Sequence, residues 1–235
     1  IATLTSQIIC LIFMCIYISK KKLFKFTLSD FDKSEIMPLI KNAVPSVIQQ
    51  SIPALSTTFL TALVRGYGIS AIAGYGVTGK LETILFYPAM ALNMVLTSIV
   101  GQCIGGKRID RAKDYLKLSL KYGSITLIIL SLIIIVFSKQ LAGLFVASDN
   151  VAVIVNQYFT IVSIGYVLYT ITSCCLGTLN GLGKPTRSMI LMIFYYIVIR
   201  IPLAYIFASL GSGLTGIWLA ILISHIIACI ASVVC

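Results

Sequence analysis

LSLKYGSITLIILSLIIIVF, Leu118–Phe137, is the stretch that decides the fold. It carries one charged residue, Lys121, close to its start. At ~1.5 Å of rise per residue, a helix of this length crosses the roughly 30 Å hydrocarbon layer of a bilayer. The run is therefore read as a membrane span. Six further apolar runs flank it: Ile1–Ile18, Ile36–Val64, Ile69–Ile104, Val151–Leu179, Thr186–Leu210 and Gly213–Cys235. The second contains Pro45 and Pro53, with Pro38 in its entry, and the third contains Pro88. Seven spans in a chain of 235 residues leave room only for short connections.

Composition agrees. The chain is 59% hydrophobic and 11% charged, with a mean hydropathy of +1.03. Soluble domains carry roughly 25% charged residues. The fold class is thus all-α, a polytopic membrane protein. Both ends lie inside apolar runs, so the chain is expected to be a piece of a longer protein. Ile1–Ile18 would close a preceding unit, residues 19–35 would form a basic loop, and residues 36–235 would form a six-helix lobe.

The charges set the orientation. Of the 18 Lys and Arg, 14 fall in one set of alternate loops, Arg65 and Lys139 fall in the other, and Lys80 and Arg200 lie within spans. Lys and Arg accumulate on the cytoplasmic side. The basic loops are expected there, beside anionic lipid, in a cell membrane. The net charge of +11 is explained by those loops. A nucleic-acid reading would need a basic face interleaved with stacking aromatics, which the sequence lacks.

Two glycine motifs compete with this picture. GQCIGGK, Gly101–Lys107, approaches a phosphate-binding loop, and GYGVTGKL, Gly74–Leu81, contains both that pattern and G-x-G-x-x-G. A phosphate loop needs a strand before it and Ser or Thr after the Lys. Here Arg108 and Leu81 follow the two lysines. The glycines are read as close-packing positions between helices in lipid. After them, Ile109–Leu116 has apolar residues at 109, 112, 115 and 116, the pattern of a short amphipathic helix lying at the interface.

No catalytic or metal-binding constellation is found. The seven cysteines, Cys10, Cys15, Cys103, Cys174, Cys175, Cys229 and Cys235, lie in or beside spans without C-x-x-C spacing. Buried thiols of this kind behave as small hydrophobes. The one histidine, His225, is read as satisfying an interhelical hydrogen bond.

Ionisable groups inside a membrane are costly and mark pathways, relays or buried pairs. Glu82 is the one acid well inside a span, and Lys80 and Arg200 are the bases. Two residues apart, Lys80 and Glu82 point to different sides of a helix, so Glu82 needs a partner elsewhere. Glu82 lies ~20 Å, and Arg200 ~15 Å, from the outer ends of their helices, so Arg200 is the ion-pair candidate. Two readings stay open: a structural pair that holds two helices, or a site for coupling ions and protons. Polar and aromatic residues accompany the charges. They include Gln49, Gln50, Ser56 and Thr57 in the second span, Tyr75, Thr78 and Asn93 in the third, and Tyr166, Tyr169 and Ser173 in the fifth. As a set they suggest a cavity between loosened helices.

Five segments in order carry a family resemblance. They are LIKNAVPSVIQQS (Leu39–Ser51), IAGYGVTGKLETILFYPAMALNMVLTSIVGQCIGGKRIDRAKDY (Ile72–Tyr115), LAGLFVASDNVAVIVNQYFTIVSIGY (Leu141–Tyr166), CLGTLNGLGKPTRS (Cys175–Ser188) and YIVIRIPLAYIFASLGSGLTGIWLAI (Tyr196–Ile221). Together they resemble the C-terminal half of a multidrug and toxic compound extrusion (MATE) transporter. The resemblance implies two six-helix lobes related by a pseudo-two-fold axis, with substrate between them. It implies efflux of cationic, amphipathic drugs driven by H⁺ or Na⁺, with no other cofactor. Ile1–Ile18 would be the sixth family helix. Cavity positions carried over are Gln49, Tyr75, Lys80, Glu82 and Asn93. The expected partners are cationic drugs, membrane lipid and an N-terminal lobe of the same chain, which would hold the first-helix acid the family commonly uses. One branch places acids in helices seven and ten, but Ile36–Val64 and Val151–Leu179 contain no Asp or Glu. Glu82 is then the one coupling carboxylate this lobe offers. A related lipid-linked sugar flippase is the alternative, and it would want a cavity richer in Arg and Lys. A membrane-embedded enzyme or scaffold is a more distant rival, lacking either a catalytic set or a reason for mid-membrane charge.

Overall fold

A computed structural model describes residues 2–21, 36–146 and 148–234. It contains seven helices long and apolar enough to cross a membrane among those residues. They are α1 (Ala2–Lys21), α2 (Ile36–Arg65), α3 (Ile69–Gly105), α4 (Ile109–Gly143), α5 (Asp149–Gly181), α6 (Pro185–Ser209) and α7 (Gly213–Val234). Each expected span falls on one helix. Most of the basic loop expected at 19–35 lies outside the described residues. The chain divides into two compact units, Ile1–Ile40 and Lys41–Cys235. The first holds α1, whose apolar side chains are exposed along its length. The second holds the bundle considered below.

α5 is the hub of that bundle, packing on α3, α4 and α7. Lipid is as apolar as leucine, so close approach and hydrogen bonds must hold these helices together. The α3–α5 seam shows both. Gly177 and Gly181 of α5 form a small-x-x-x-small pair against Asn93, Thr97 and Val100 of α3. Along the same seam Ser173 donates to the Ala89 carbonyl at 2.9 Å, and Asn93 donates to the Ser173 carbonyl at 2.8 Å. Thr97 donates to the Gly177 carbonyl at 3.1 Å. The outer faces are apolar, as with Ile129, Leu132, Ile133 and Val136 of α4, which are exposed to the place where lipid would lie.

α2 packs through a narrower stripe: Pro45, Gln49, Ile52, Ser56, Leu60 and Val64 are buried at spacings of three and four. Thr57, Thr58 and Thr61 each donate to the carbonyl four residues earlier, which satisfies their hydroxyls inside the helix itself.

The glycine motifs resolve into helix. Gly74–Leu81 lies wholly within α3, where a Cβ on Gly74 would come within 2.7 Å of Ile154 on α5. Gly101–Gly105 ends α3, and the turn closes with Arg108 N–H donating to the Cys103 carbonyl at 2.8 Å. Lys107, the would-be phosphate lysine, takes the left-handed conformation at φ 57° to make that turn. No strand occurs among the described residues.

One local expectation changes. Ile109–Leu116 is not a separate interfacial helix; it is the first part of α4, continuous to Gly143. Nothing between Leu116 and Leu118 breaks a helix, since Lys117 is a good helix former. Ala112 is buried and packs with Leu96, Val100 and Cys174, so this turn is tied to the bundle.

Candidate functional site

α6 begins and ends as α-helix, but Phe194–Arg200 is a π-helical turn. The cause is next to it. Pro202 has no N–H to donate, and its ring crowds the carbonyl four residues back. A wider turn with i→i+5 bonds accommodates both effects, and such turns occur often at functional sites. In it, Tyr195 and Arg200, five apart, reach the same side, and Tyr195, Tyr196 and Arg200 are all buried.

Arg200 is 7% exposed and firmly held. Its Nε donates to Ser224 Oγ at 2.9 Å, and one terminal nitrogen donates to the Tyr195 hydroxyl at 2.5 Å and meets His225 Nε2 at 3.2 Å. Its guanidinium carbon stands 4.7 Å and 4.5 Å from the ring centres of Tyr195 and Tyr196. A guanidinium only donates, so His225 Nε2 accepts. The imidazole proton is thereby assigned to Nδ1, which donates to the Tyr195 oxygen at 2.8 Å. His225 thus makes an interhelical bond, from α7 to α6.

Glu82 of α3 has different partners. The hydroxyls of Tyr158 and Tyr166, both on α5, donate to its Oε1 at 2.5 Å and 2.6 Å. Trp218 of α7 buttresses this pair, with Tyr158 edge-on at 4.8 Å and Tyr75 stacked on it at 5.6 Å. Tyr75 lies seven residues, two turns, before Glu82 and so on the same face.

Glu82 and Arg200 line one cavity of about 50 Å³, with Tyr75, Tyr158, Tyr196 and His225. They share the cavity and not a hydrogen bond: each charge is bonded by neutral groups. A second cavity, of about 220 Å³, is lined by Gln49, Gln50, Phe86, Met90, Asn93, Met94, Tyr169 and Met192, among others. Pro53, Phe86 and Tyr196 wall both cavities. The structure therefore gathers Tyr75, Glu82 and Arg200 in the small cavity, and Gln49 and Asn93 in the larger. Lys80 is exposed and lines neither. No cluster of three or more His, Cys, Asp or Glu able to hold a metal occurs among the described residues.

Sequence reasoning did not assign Tyr158, Tyr195, Ser224 or Trp218 to the site. Their signal is faint. A buried carboxylate demands donors, and α5 carries tyrosines at 158, 166 and 169, but only the helix rotation shows which of them reach it. Hydrogen bonds to a charged group are worth about 1.5–3 kcal/mol, less where a membrane reference state supplies other partners. Tyr158→Phe and Tyr166→Phe are each expected to lower the unfolding midpoint of the purified protein. That loss should shrink on a Glu82→Gln background, as a double-mutant cycle would show. Equal losses on both backgrounds would mean that the phenols act by packing alone.

The sequence model of the family described as MatE matches residues 45–206. A probable multidrug resistance protein NorM of Bacillus licheniformis is 24% identical over 228 residues, covering 94% of this chain and 50% of the relative. An FAD transporter of Shewanella oneidensis is 28% identical over 155 residues, covering 65% of this chain and 33% of its own. Multidrug and toxin extrusion protein 1 of Oryctolagus cuniculus is 27% identical over 156 residues, covering 63% of this chain and 26% of its own. A crystal structure of MATE in complex with MaL6 superposes with a TM-score of 0.91 at 22% identity, over 99% of this chain and 54% of that one. A MOP superfamily transporter from Pyrococcus furiosus gives 0.91 at 23%, over 99% and 54%. The chain spans half or less of the length of these curated relatives. Over that length, the chain belongs to the MatE family of membrane transporters.

Proposed function

We propose that the chain is the C-terminal lobe of a secondary active efflux transporter that exports cationic, amphipathic compounds in exchange for H⁺ or Na⁺. Residues 1–18 are assigned to the last helix of the preceding lobe, and the basic loops to the cytoplasmic side of the cell membrane. The observation that carries this reading is Glu82. Its carboxyl sits mid-helix, bonded by two phenols, in a small cavity backed by a larger one. Among the described residues, the larger cavity is lined by aromatic rings, thioethers and amides, with no Arg, Lys, Asp or Glu. Such walls suit a planar, amphipathic cation, through ring faces and polarisable sulfur. An ionisable group in a membrane is costly and marks a pathway, a relay or a buried pair. Coupling follows if drug and ion each bind one conformation better than the other and both answer to that charge.

The FAD-transporting relative favours a second reading, a flavin dinucleotide as cargo. The same rings would take its planar head. Its phosphates would need cations, and the described residues of the larger cavity supply none. The sugar-lipid flippase meets the same objection.

The deciding experiment is efflux of ethidium from drug-sensitive cells carrying the full-length protein, with FAD export measured in parallel. Wild type is expected to export ethidium. Glu82→Gln, inserted in equal amount, is expected to fall to the background of empty cells. Undiminished efflux by the variant would move the coupling chemistry to the other lobe. FAD export without ethidium export would establish the second reading.

A further inference from the structure

The small cavity separates ion from drug. About 50 Å³ holds on the order of one to three waters, whereas drug sites run to several hundred Å³. Whatever exchanges at Glu82 through this space is an ion, a proton or water. The wall that Glu82 shares also includes Arg200. That guanidinium is held by Ser224, Tyr195 and His225 and lies against two tyrosine rings. The ionisable groups that also face the cavity are Tyr75, Tyr158, Tyr196 and His225. Lys80 is exposed elsewhere on α3. Among the described residues, Glu82 and Arg200 are therefore the acid and the base of a cavity without net charge.

We propose that Arg200 is a tethered counter-cation that sets the ion specificity of Glu82, so that the carboxyl exchanges a proton and takes no Na⁺. The proposal rests on the reading of Glu82 as a coupling carboxylate. Two physical differences separate the ions. A hard metal cation needs several oxygen ligands around it. Arg200 contributes only N–H donors to the wall, and so removes a sector of that shell. A proton needs no shell; it forms one O–H bond on the carboxylate and occupies no cavity volume. The fixed positive charge opposes a proton and Na⁺ alike, so what separates the two ions is the missing sector of oxygen ligands and not the charge. Replacing the guanidinium with a neutral, oxygen-bearing side chain would both open the shell and leave a net negative cavity.

The test is equilibrium binding of radioactive Na⁺ to the purified full-length protein, at one pH, in wild type, Glu82→Gln, Arg200→Gln, Arg200→Lys and the double variant Arg200→Gln/Glu82→Gln. Taking the difference against Glu82→Gln removes any Na⁺ held elsewhere. Wild type and Arg200→Lys are expected to show no Glu82-dependent Na⁺. Arg200→Gln is expected to gain a saturable component, at least about tenfold tighter than the weakest binding the measurement detects, an ordinary size for coupling between charges, and the double variant to lose it. Glu82-dependent Na⁺ in wild type overturns the proposal, as does a folded Arg200→Gln that gains none. Should Arg200→Gln fail to fold, wild type and Arg200→Lys still decide: Glu82-dependent Na⁺ in either overturns it, and its absence in both supports it. Failure of the coupling reading would show separately, as ethidium efflux untouched by Glu82→Gln.

Discussion

Gly177→Leu is expected to leave no folded protein, with the full-length variant aggregating on extraction where wild type elutes as a single species. The reason lies in the α3–α5 seam. A Cβ at Gly177 would stand 2.5 Å from the Asn93 carbonyl oxygen and 2.9 Å from the Asn93 Cα. These are backbone atoms and cannot swing aside as a side-chain tip would. Relief requires the two helices to move apart. That separation also strains the Ser173, Asn93 and Thr97 hydrogen bonds along the seam. Each such bond is worth about 0.6–1.7 kcal/mol between membrane helices. Overpacking alone costs about 1–3 kcal/mol for a few added methylenes in a core that can adjust, and this one cannot. Gly177→Ala grades the argument: its single methyl should lower the unfolding midpoint without abolishing folding. A Gly177→Leu protein as stable as wild type would show that α3 and α5 do not pack as closely as described.

Trp218→Ala is the second large effect. Trp218 has no exposed surface and stands at the junction of α3, α5 and α7, against Tyr75 and Tyr158. Its indole nitrogen has no hydrogen-bond partner among the described residues, so the contacts it makes there are packing contacts. Truncating a buried Trp or Phe to Ala costs about 3–5 kcal/mol, transfer and cavity terms together. The hole would open beside Tyr158, which donates to Glu82. Lower stability and weaker ethidium efflux per folded molecule are therefore expected together, read by thermal unfolding and by efflux normalised to surface protein. Trp218→Phe refills most of the space and should restore both. Lost stability with normal efflux per folded molecule would mean that the phenol keeps its place without the indole.

Each of these predictions turns on side chains that lie far apart in the chain, and that is where the sequence was least legible. The spans were legible because hydropathy is a local property: eighteen or so apolar residues in a row announce lipid whatever surrounds them. Glu82 and Arg200 stood out for the same reason, since a charge in such a run is conspicuous without any knowledge of its neighbours. The continuity of α4 was less legible. Its first turns alternate charge and apolar residues as an interfacial helix would, yet Ala112 belongs to the bundle.

By itself, the sequence determined that this protein is a set of membrane-crossing helices with one acid and few bases in the apolar layer. Burial from water and the cost of charge in lipid act residue by residue, so a linear reading suffices for them. Only the tertiary structure decided what those charges meet. Tyr158 and Tyr166 lie 76 and 84 positions from Glu82, and reach it because α5 turns one particular face toward α3. That rotation is set by where a glycine lets backbones touch, as at Gly177, or leaves room for a neighbour's side chain, as Gly74 does for Ile154. Arg200 reaches Tyr195 because a proline two residues on widens the helix between them. Rotation and local helix pitch arise from contacts between helices, and a hydropathy pattern carries no record of them.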